Sequence, residues 1–264
     1  MPLMQPHQKE CATAQPIAKD ACAARSRLYE GYVSSGQAGT GTELGRNSFL
    51  EALVRNHAPA NRDANIVDLG CGSGALIGAL KTLGYRNIRG FDASDEQVKL
   101  AHSLGRHEVL QGDLLQMLRL QNADVDAVFA LDVLEHLTRD ELLVALDSVW
   151  AALRPGGRVI IHVPNAEGLH GMRMRYGDLT HELAFTPGSM QQALHICGFA
   201  YVRCYEDRPV VHGVKSAIRA LLWRLLTASA RLRLLAETGV GGHILSQNML
   251  VVARRPLDDL VGRT

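Results

Sequence analysis

With 264 residues and a formal net charge of +1, the chain can form one large domain with an elaboration, and it lacks the charge for bulk nucleic-acid binding. Its five cysteines (Cys11, Cys22, Cys71, Cys197, Cys204) are odd in number, scattered and never spaced C-x-x-C, which points to reduced thiols and away from a structural zinc. No apolar run is long enough to span a bilayer and the first residues lack a signal-type apolar core, so a soluble, cytoplasmic protein is expected.

Residues 1 to about 24 mix Gln, Pro, Lys and Ala without periodicity and read as a loose arm. Tyr29 and Tyr32 follow, spaced to share a helix face, ahead of a glycine-rich turn. Asn47 to Asn56 reads as an amphipathic helix leading into Ile66-Val67-Asp68-Leu69, a buried parallel strand by its apolar character. Gly70, Gly72 and Gly74 come next, then an apolar pattern suited to a helix. Strand, glycine loop and helix together make a nucleotide cradle, because the helix start offers unpaired N–H groups. Two frames fit it: the dinucleotide G-x-G-x-x-G/A, and acid-x-G-x-G-x-G through Asp68, Gly70, Gly72 and Gly74. Cys71 sits inside this loop, where small size explains it as well as reactivity does.

Asn87 to Asp92 reads as a second strand ending in an acid, 18 positions past Gly74, where a carboxylate can accept from both ribose hydroxyls. Asp92 could equally cap the helix expected from Ser94 to Leu104. His107 to Leu114 reads as a third strand with a turn at Gly112-Asp113. The discriminating stretch is Asp126 to Leu137, a fourth buried strand running into Asp132-Val133-Leu134-Glu135-His136-Leu137. Leu153-Arg154-Pro155-Gly156-Gly157 is then a stop and tight turn before a fifth strand ending at Pro164-Asn165.

Taken together, these motifs resemble the class I S-adenosylmethionine-dependent methyltransferases over residues 60 to about 205. The resemblance implies an α/β, Rossmann-like fold whose seven-stranded, mostly parallel sheet ends in an antiparallel strand. It implies S-adenosyl-L-methionine as the cofactor, held by Asp68, the three glycines, Asp92 and Asp132, with Asp113 on the adenine amino group and Leu114 against the ring. In that family a segment like the one around Tyr29 and Tyr32 lies across the cofactor, which makes residues 1–45 an arm and lid; a helix packing two rings on the core is the plainer alternative.

Residues 165–182 are polar, poor in helix signals and too long for a plain connection, so they are expected to serve the acceptor. Asp178-x-Thr180-His181, Phe185-Thr186-Pro187 and the close at Leu194, Gly198 and Phe199 resemble methyltransferases of bacterial surface-glycan pathways, implying a sugar or glycolipid hydroxyl as acceptor. His181 is then the leading candidate base, oriented by Asp178, with His136 and Glu135 as alternatives and a structural tie as the bland reading. Asn165, Arg173, Arg175, Tyr176 and Glu135 are candidate acceptor contacts. No spacing is diagnostic of a metal, and none is expected.

Strands six and seven should be Phe199–Tyr205 and Gln247–Ala253, with residues 46–207 and 243–264 forming the core. Between them, 208–242 is an insertion in which 211–236 carries five basic residues and no acid. It reads as an amphipathic helix, breakable at Thr227-Ala228-Ser229, that contacts a membrane surface, covers the acceptor cleft or pairs with a second subunit. The rival functions are methylation of a small-molecule or quinone-type hydroxyl, an inactive cofactor-binding partner protein, and, more distantly, a nicotinamide oxidoreductase.

Overall fold

The computed structural model describes residues 43–112 and 123–257. Tyr32, Asp113 and Leu114, and with them the expected lid, lie outside the described residues. A seven-stranded sheet in the order β3-β2-β1-β4-β5-β7-β6 organises the fold. Its strands are β1 (Ile66–Leu69), β2 (Ile88–Asp92), β3 (Val109–Gln111), β4 (Val125–Leu131), β5 (Leu153–Pro164), β6 (Ala200–Glu206) and β7 (Asn248–Arg254). Neighbouring strands from β3 to β5 pair in parallel, and β7 runs antiparallel to both β5 and β6. This is the Rossmann-like methyltransferase order, with a helical insertion before the last strand.

Sequence character explains the layering. β4, Val-Asp-Ala-Val-Phe-Ala-Leu, is buried almost from end to end, as a parallel strand covered on both faces must be. Successive residues feed opposite faces: Val67, Leu69, Val128 and Ile161 join one core, while Ile66, Ala127, Phe129 and Ile160 join the other. Edge strand β6 instead alternates half-buried with exposed. The covering helices are α1 (Glu43–His57), α2 (Ala75–Thr82), α3 (Asp95–Ser103), α4 (Arg139–Ala152), α5 (Gly171–Tyr176), α6 (Pro187–Ile196) and α7 (Val214–Thr238). Among the described residues no helix is long and apolar enough to cross a membrane.

Several expectations need correcting. Ser94, not Asp92, caps α3, accepting from the Gln97 N–H at 3.4 Å. The Leu-x-Pro-Gly-Gly turn is absorbed into β5: Leu153 pairs with Val125 and Arg158 with Ala127, so the intervening residues form a bulge. The stretch after β4 is a 3-10 turn (Leu134–His136), and α4 begins only after Thr138, which closes a capping box with Glu141. The polar segment 165–182 contains the short helix α5. Thr227 does not break α7; its hydroxyl donates to the Trp223 carbonyl at 2.7 Å within an unbroken helix.

Candidate functional site

The order of the strands reverses between β1 and β4, and ligands of such sheets sit outside the carboxyl ends of the strands at that point. Gly70 leaves β1 there with φ +61°. A Cβ on it would stand 2.3 Å from Val133 Cγ2, so the turn after β4 fills the space the missing side chain leaves. Gly72, with φ +53°, donates its N–H to Asp92 Oδ2 at 2.8 Å, and Ser94 N–H donates to Asp92 Oδ1 at 2.9 Å. The carboxylate at the end of β2 thus ties the glycine loop to the start of α3. Burial pushes the Asp92 carboxyl up, against the pull of the Ser94 and Gly72 amides. An ionised carboxylate has about four acceptor positions; these amides use two and leave two, which suits a ribose diol.

Asp68 is buried beneath this loop, only 2 % exposed. Burial, together with the charges of Asp68 and Asp92, holds the Cys71 thiol far above its ordinary value. Cys71 is therefore a protonated, small filler of the loop, and the reactive reading falls away.

Asp132, at the end of β4, has φ +56°, a conformation uncommon for a residue other than glycine. Two bonds to one residue hold it there. Its N–H donates to the His162 carbonyl at 2.9 Å, and its Oδ1 lies 2.7 Å from His162 Nδ1. His162, buried in β5, turns its other nitrogen towards Asp207 at 3.5 Å. Burial alone would lower this imidazole, but the charge and hydrogen bond of Asp132, with Asp207 behind them, raise it to about 10. His162 thus lies between two carboxylates that favour its charged form. The sequence reading missed it, although a histidine amid the apolar residues of a central strand was the available signal.

The 3-10 turn holds the next group. The Glu135 carbonyl accepts from the Glu182 and Leu183 N–H groups at 2.8 and 2.9 Å, stitching the segment after α5 to the end of β4. Burial, and then the charge of Asp132, push the Glu135 carboxyl well above the usual carboxylate range. Its buried Oε2 has no hydrogen-bond partner among the described residues. His136 Nδ1 lies 2.9 Å from Thr180 Oγ1, whose hydroxyl donates to Asp178 Oδ1 at 2.6 Å. Since that hydroxyl has one proton and gives it to Asp178, it accepts from His136, and Nδ1 carries the ring's hydrogen. Nε2 is then the acceptor nitrogen of His136. Burial and the neighbouring His181 hold His136 below its ordinary value, so the neutral ring prevails near pH 7.

His181 Nδ1 lies 2.9 Å from the Met174 carbonyl, which can only accept, so Nε2 is again the acceptor nitrogen. The two imidazoles meet edge-on with centroids 4.8 Å apart. Asp178 therefore orients His136 through Thr180, whereas His181, which it was expected to orient, bonds the Met174 carbonyl. Glu135, His136 and His181 each offer a ligand atom within 4.8 Å of the others, a set that could hold a divalent transition metal.

The remaining predicted contacts divide. Asn165 is fully buried; its side-chain amide donates to the Ile244 and Ser246 carbonyls and accepts from Glu167 N–H, so it locks β5 to the segment before β7. Arg175 ties the loop by donating to the carbonyls of His181 and Glu182. Neither has its polar groups turned to an acceptor. Arg173 and Tyr176 are exposed. Phe185, Thr186 and Pro187 are accounted for by folding: Phe185 is core, Thr186 caps α6 and Pro187 opens it. A separate cleft of about 450 Å³, lined by Arg154, Gly156, Tyr201, Arg254 and Leu257, lies at the amino ends of β5 and β6, away from these groups.

Residues 67–161 match the family model described as a methyltransferase domain. The chain is 31% identical over 107 residues to a ubiquinone biosynthesis O-methyltransferase of Xylella fastidiosa, covering 39% of this chain and 42% of that one. It thus spans less than half the length of that curated relative. Its fold is similar to a SAM-dependent methyltransferase from Archaeoglobus fulgidus, with a TM-score of 0.59, 19% identity, and coverage of 87% and 99% of the two chains. It is also similar in fold to phosphoethanolamine N-methyltransferase 2 of Haemonchus contortus in complex with S-adenosyl-L-methionine, with a TM-score of 0.58, 13% identity, and coverage of 86% and 60%.

Proposed function

We propose that this chain, which carries a methyltransferase domain over residues 67–161 within a Rossmann-like methyltransferase fold, is an S-adenosylmethionine-dependent O-methyltransferase acting on a small-molecule or quinone-type hydroxyl. The observation that carries the reading is the hydrogen-bond relay Asp178–Thr180–His136 at the carboxyl end of β4, one turn beyond the strand that adjoins the glycine loop. The relay presents a neutral ring nitrogen as a proton acceptor. The similarity to ubiquinone biosynthesis O-methyltransferase supports the choice of acceptor.

Gly70, Gly72 and Gly74 with Asp92 would hold the cofactor, which when bound supplies an electrophilic methyl group on a sulfonium. Aligning two reactants can be worth about 7–11 kcal/mol, whereas a positioned base adds on the order of 10²–10⁴-fold. The site's first task is therefore alignment. Its second is to take the hydroxyl proton onto His136 Nε2 as the new C–O bond forms. A phenolic hydroxyl, with a pKa near 10 as in tyrosine, asks much less of that base than an alcohol does. His181, edge-on to His136, disfavours the charged ring and keeps the base neutral before transfer.

A sugar hydroxyl is the second reading. What favours it is the polar wall built from Glu135, His136, Asp178, Thr180 and His181, where an apolar pocket would suit a quinone better. Parallel assays with labelled cofactor on catechol-type phenols and on a sugar panel test both. Label in the phenols supports the main reading, and label only in sugars reverses the order. A chelator arm goes with them: the base reading expects an unchanged rate. Loss restored by Mn²⁺ or Zn²⁺ would instead make Glu135, His136 and His181 metal ligands.

A further inference from the structure

Helix α7 presents two unlike faces. Ser216, Ala220, Trp223, Thr227 and Leu234 lie along one stripe, and all are buried or half-buried. Arg231, on the same side, pairs with Glu206 at the end of β6, whose other contacts include the Leu245 N–H. On the opposite side, about 100° per residue gathers Val214, Ile218, Leu221, Leu222, Leu225 and Leu232 into an arc of roughly 100°. Every one of these is exposed, Leu225 to 61 % and Val214 to 78 %. An apolar stripe of this length, about 27 Å from Val214 to Leu232 at 1.5 Å per residue, is larger than solvent normally sees on a single helix.

Charge says what covers it. Lys215, Arg219 and Arg233 border the arc on one side and Arg224 on the other, all exposed, and no acidic residue occurs from Arg208 to Ala236. An apolar pole flanked by long cationic side chains allows the leucines to enter the acyl boundary while the cations stay among anionic headgroups. A second copy of the same helix would bring like charges together along both flanks. We propose that the outer face of α7 docks this protein on the surface of an anionic lipid bilayer, lying in the interface without crossing it.

The geometry connects that surface to the site. Arg231 grips Glu206, and the next residue, Asp207, faces His162, the imidazole that holds Asp132. Docking through α7 would place the membrane on the helix that Arg231 ties to the end of β6. The inference itself does not rest on the acceptor reading, because vesicle binding is measured without any acceptor.

The test is co-sedimentation of the full chain with phosphatidylglycerol/phosphatidylcholine vesicles and with phosphatidylcholine vesicles alone. Partition onto the anionic vesicles is expected, weakened when salt shortens the screening length from about 10 Å at 0.1 M to about 3 Å at 1 M. The Leu221→Glu/Leu225→Glu double variant should lose more than about tenfold in partition, since burying each leucine is worth at least that much. S-adenosylhomocysteine binding should be unaffected. Arg219→Gln/Arg233→Gln should lose about fivefold per charge on anionic vesicles alone, and carries the same test should the leucine variant not fold. Failure of the wild-type chain to sediment with either vesicle overturns the proposal. So does a lipid-free dimer that the leucine variant dissociates, which would make the occupant a second copy.

Discussion

At the β1–β2 half of the carboxyl edge, main-chain amides do the holding: Gly72 and Ser94 N–H groups close on the single carboxylate of Asp92. At the β4–β5 half, side chains hold side chains: Asp178 to Thr180 to His136, and Asp132 to His162 with Asp207 behind. The first half is a fixed cradle whose demand is conformational. The second is an electrostatic network in which burial pushes Glu135 up and His136 down while two carboxylates push His162 up against its burial. A cradle of amides suits a ligand that must always be gripped in the same way. A network of titrating groups suits a proton that must be moved. Substitutions in the two halves should therefore fail differently, the first in binding and stability and the second in rate.

The largest effect is expected at His136. His136→Asn should lower kcat by about 10²–10⁴-fold while S-adenosylhomocysteine affinity, measured by calorimetry, stays at the wild-type level. His181→Asn should cost less, since His181 lacks the Asp178–Thr180 support; a larger loss there would return the base role to His181. The pH profile sharpens the assignment. Because burial and His181 depress the folded-state value of His136 below 6.5, the neutral ring, and with it the rate, should persist somewhat below pH 6.5 and then fall. Stability follows the same sign: what the uncharged ring contributes is present above 6.5 and is lost as the pH falls through the lowered folded value.

In the cradle, Gly70→Ala should act on the fold itself. A left-handed backbone costs a residue with a Cβ about 1–2 kcal/mol, and driving that carbon against Val133 adds about 1–3 kcal/mol. Urea unfolding should show the summed loss, together with weakened S-adenosylhomocysteine binding. A fall of under about 1 kcal/mol would mean that Val133 withdraws easily and that the two halves are less tightly joined than the 2.3 Å approach implies.

The same division governs what the sequence discloses. Gly70, Gly72, Gly74 and Asp92 stand in one short register of strand, loop and strand, so local spacing carries their geometry into the text. The sheet is legible for the same reason, since each unit of apolar strand and helix repeats a local grammar. The acceptor half depends on contacts between residues 30 to 44 positions apart, such as Asp132 with His162 and His136 with Thr180. No spacing announces those. Asn165 and Arg175 misled for a related reason: a polar residue at a strand end or in a polar loop reads as a ligand contact, whereas both are spent on distant or returning carbonyls. Thr186 and Pro187 had a local explanation as helix cap and first turn, which the family resemblance overshadowed.

A smaller effect is expected from Asp92→Asn, which keeps an oxygen for one amide and faces the other with an NH₂ donor. Losing a charged acceptor is worth about 1.5–3 kcal/mol, so S-adenosylhomocysteine should bind on the order of 10–100-fold more weakly, with kcat at saturating cofactor little changed. Unchanged affinity would reduce Asp92 to a tie between the loop and α3.

The smallest predicted change probes how the acceptor half sets its proton. Thr180→Val keeps the shape but removes the hydroxyl through which Asp178 fixes the Nδ1–H form of His136. Without that acceptor the ring can place its hydrogen on Nε2, the nitrogen that should receive the substrate proton. Losing a partner that orients an imidazole in this way costs about tenfold to a hundredfold elsewhere, and the lower end is expected because the buried ring stays packed against His181. The Asp178 charge, which favours the charged ring, stays in place in this variant, so the rate is the quantity that reads the loss. Thr180→Ser restores the hydroxyl and should recover the rate. A valine variant as fast as the serine variant would separate His136 from Asp178 and leave the relay a matter of packing alone.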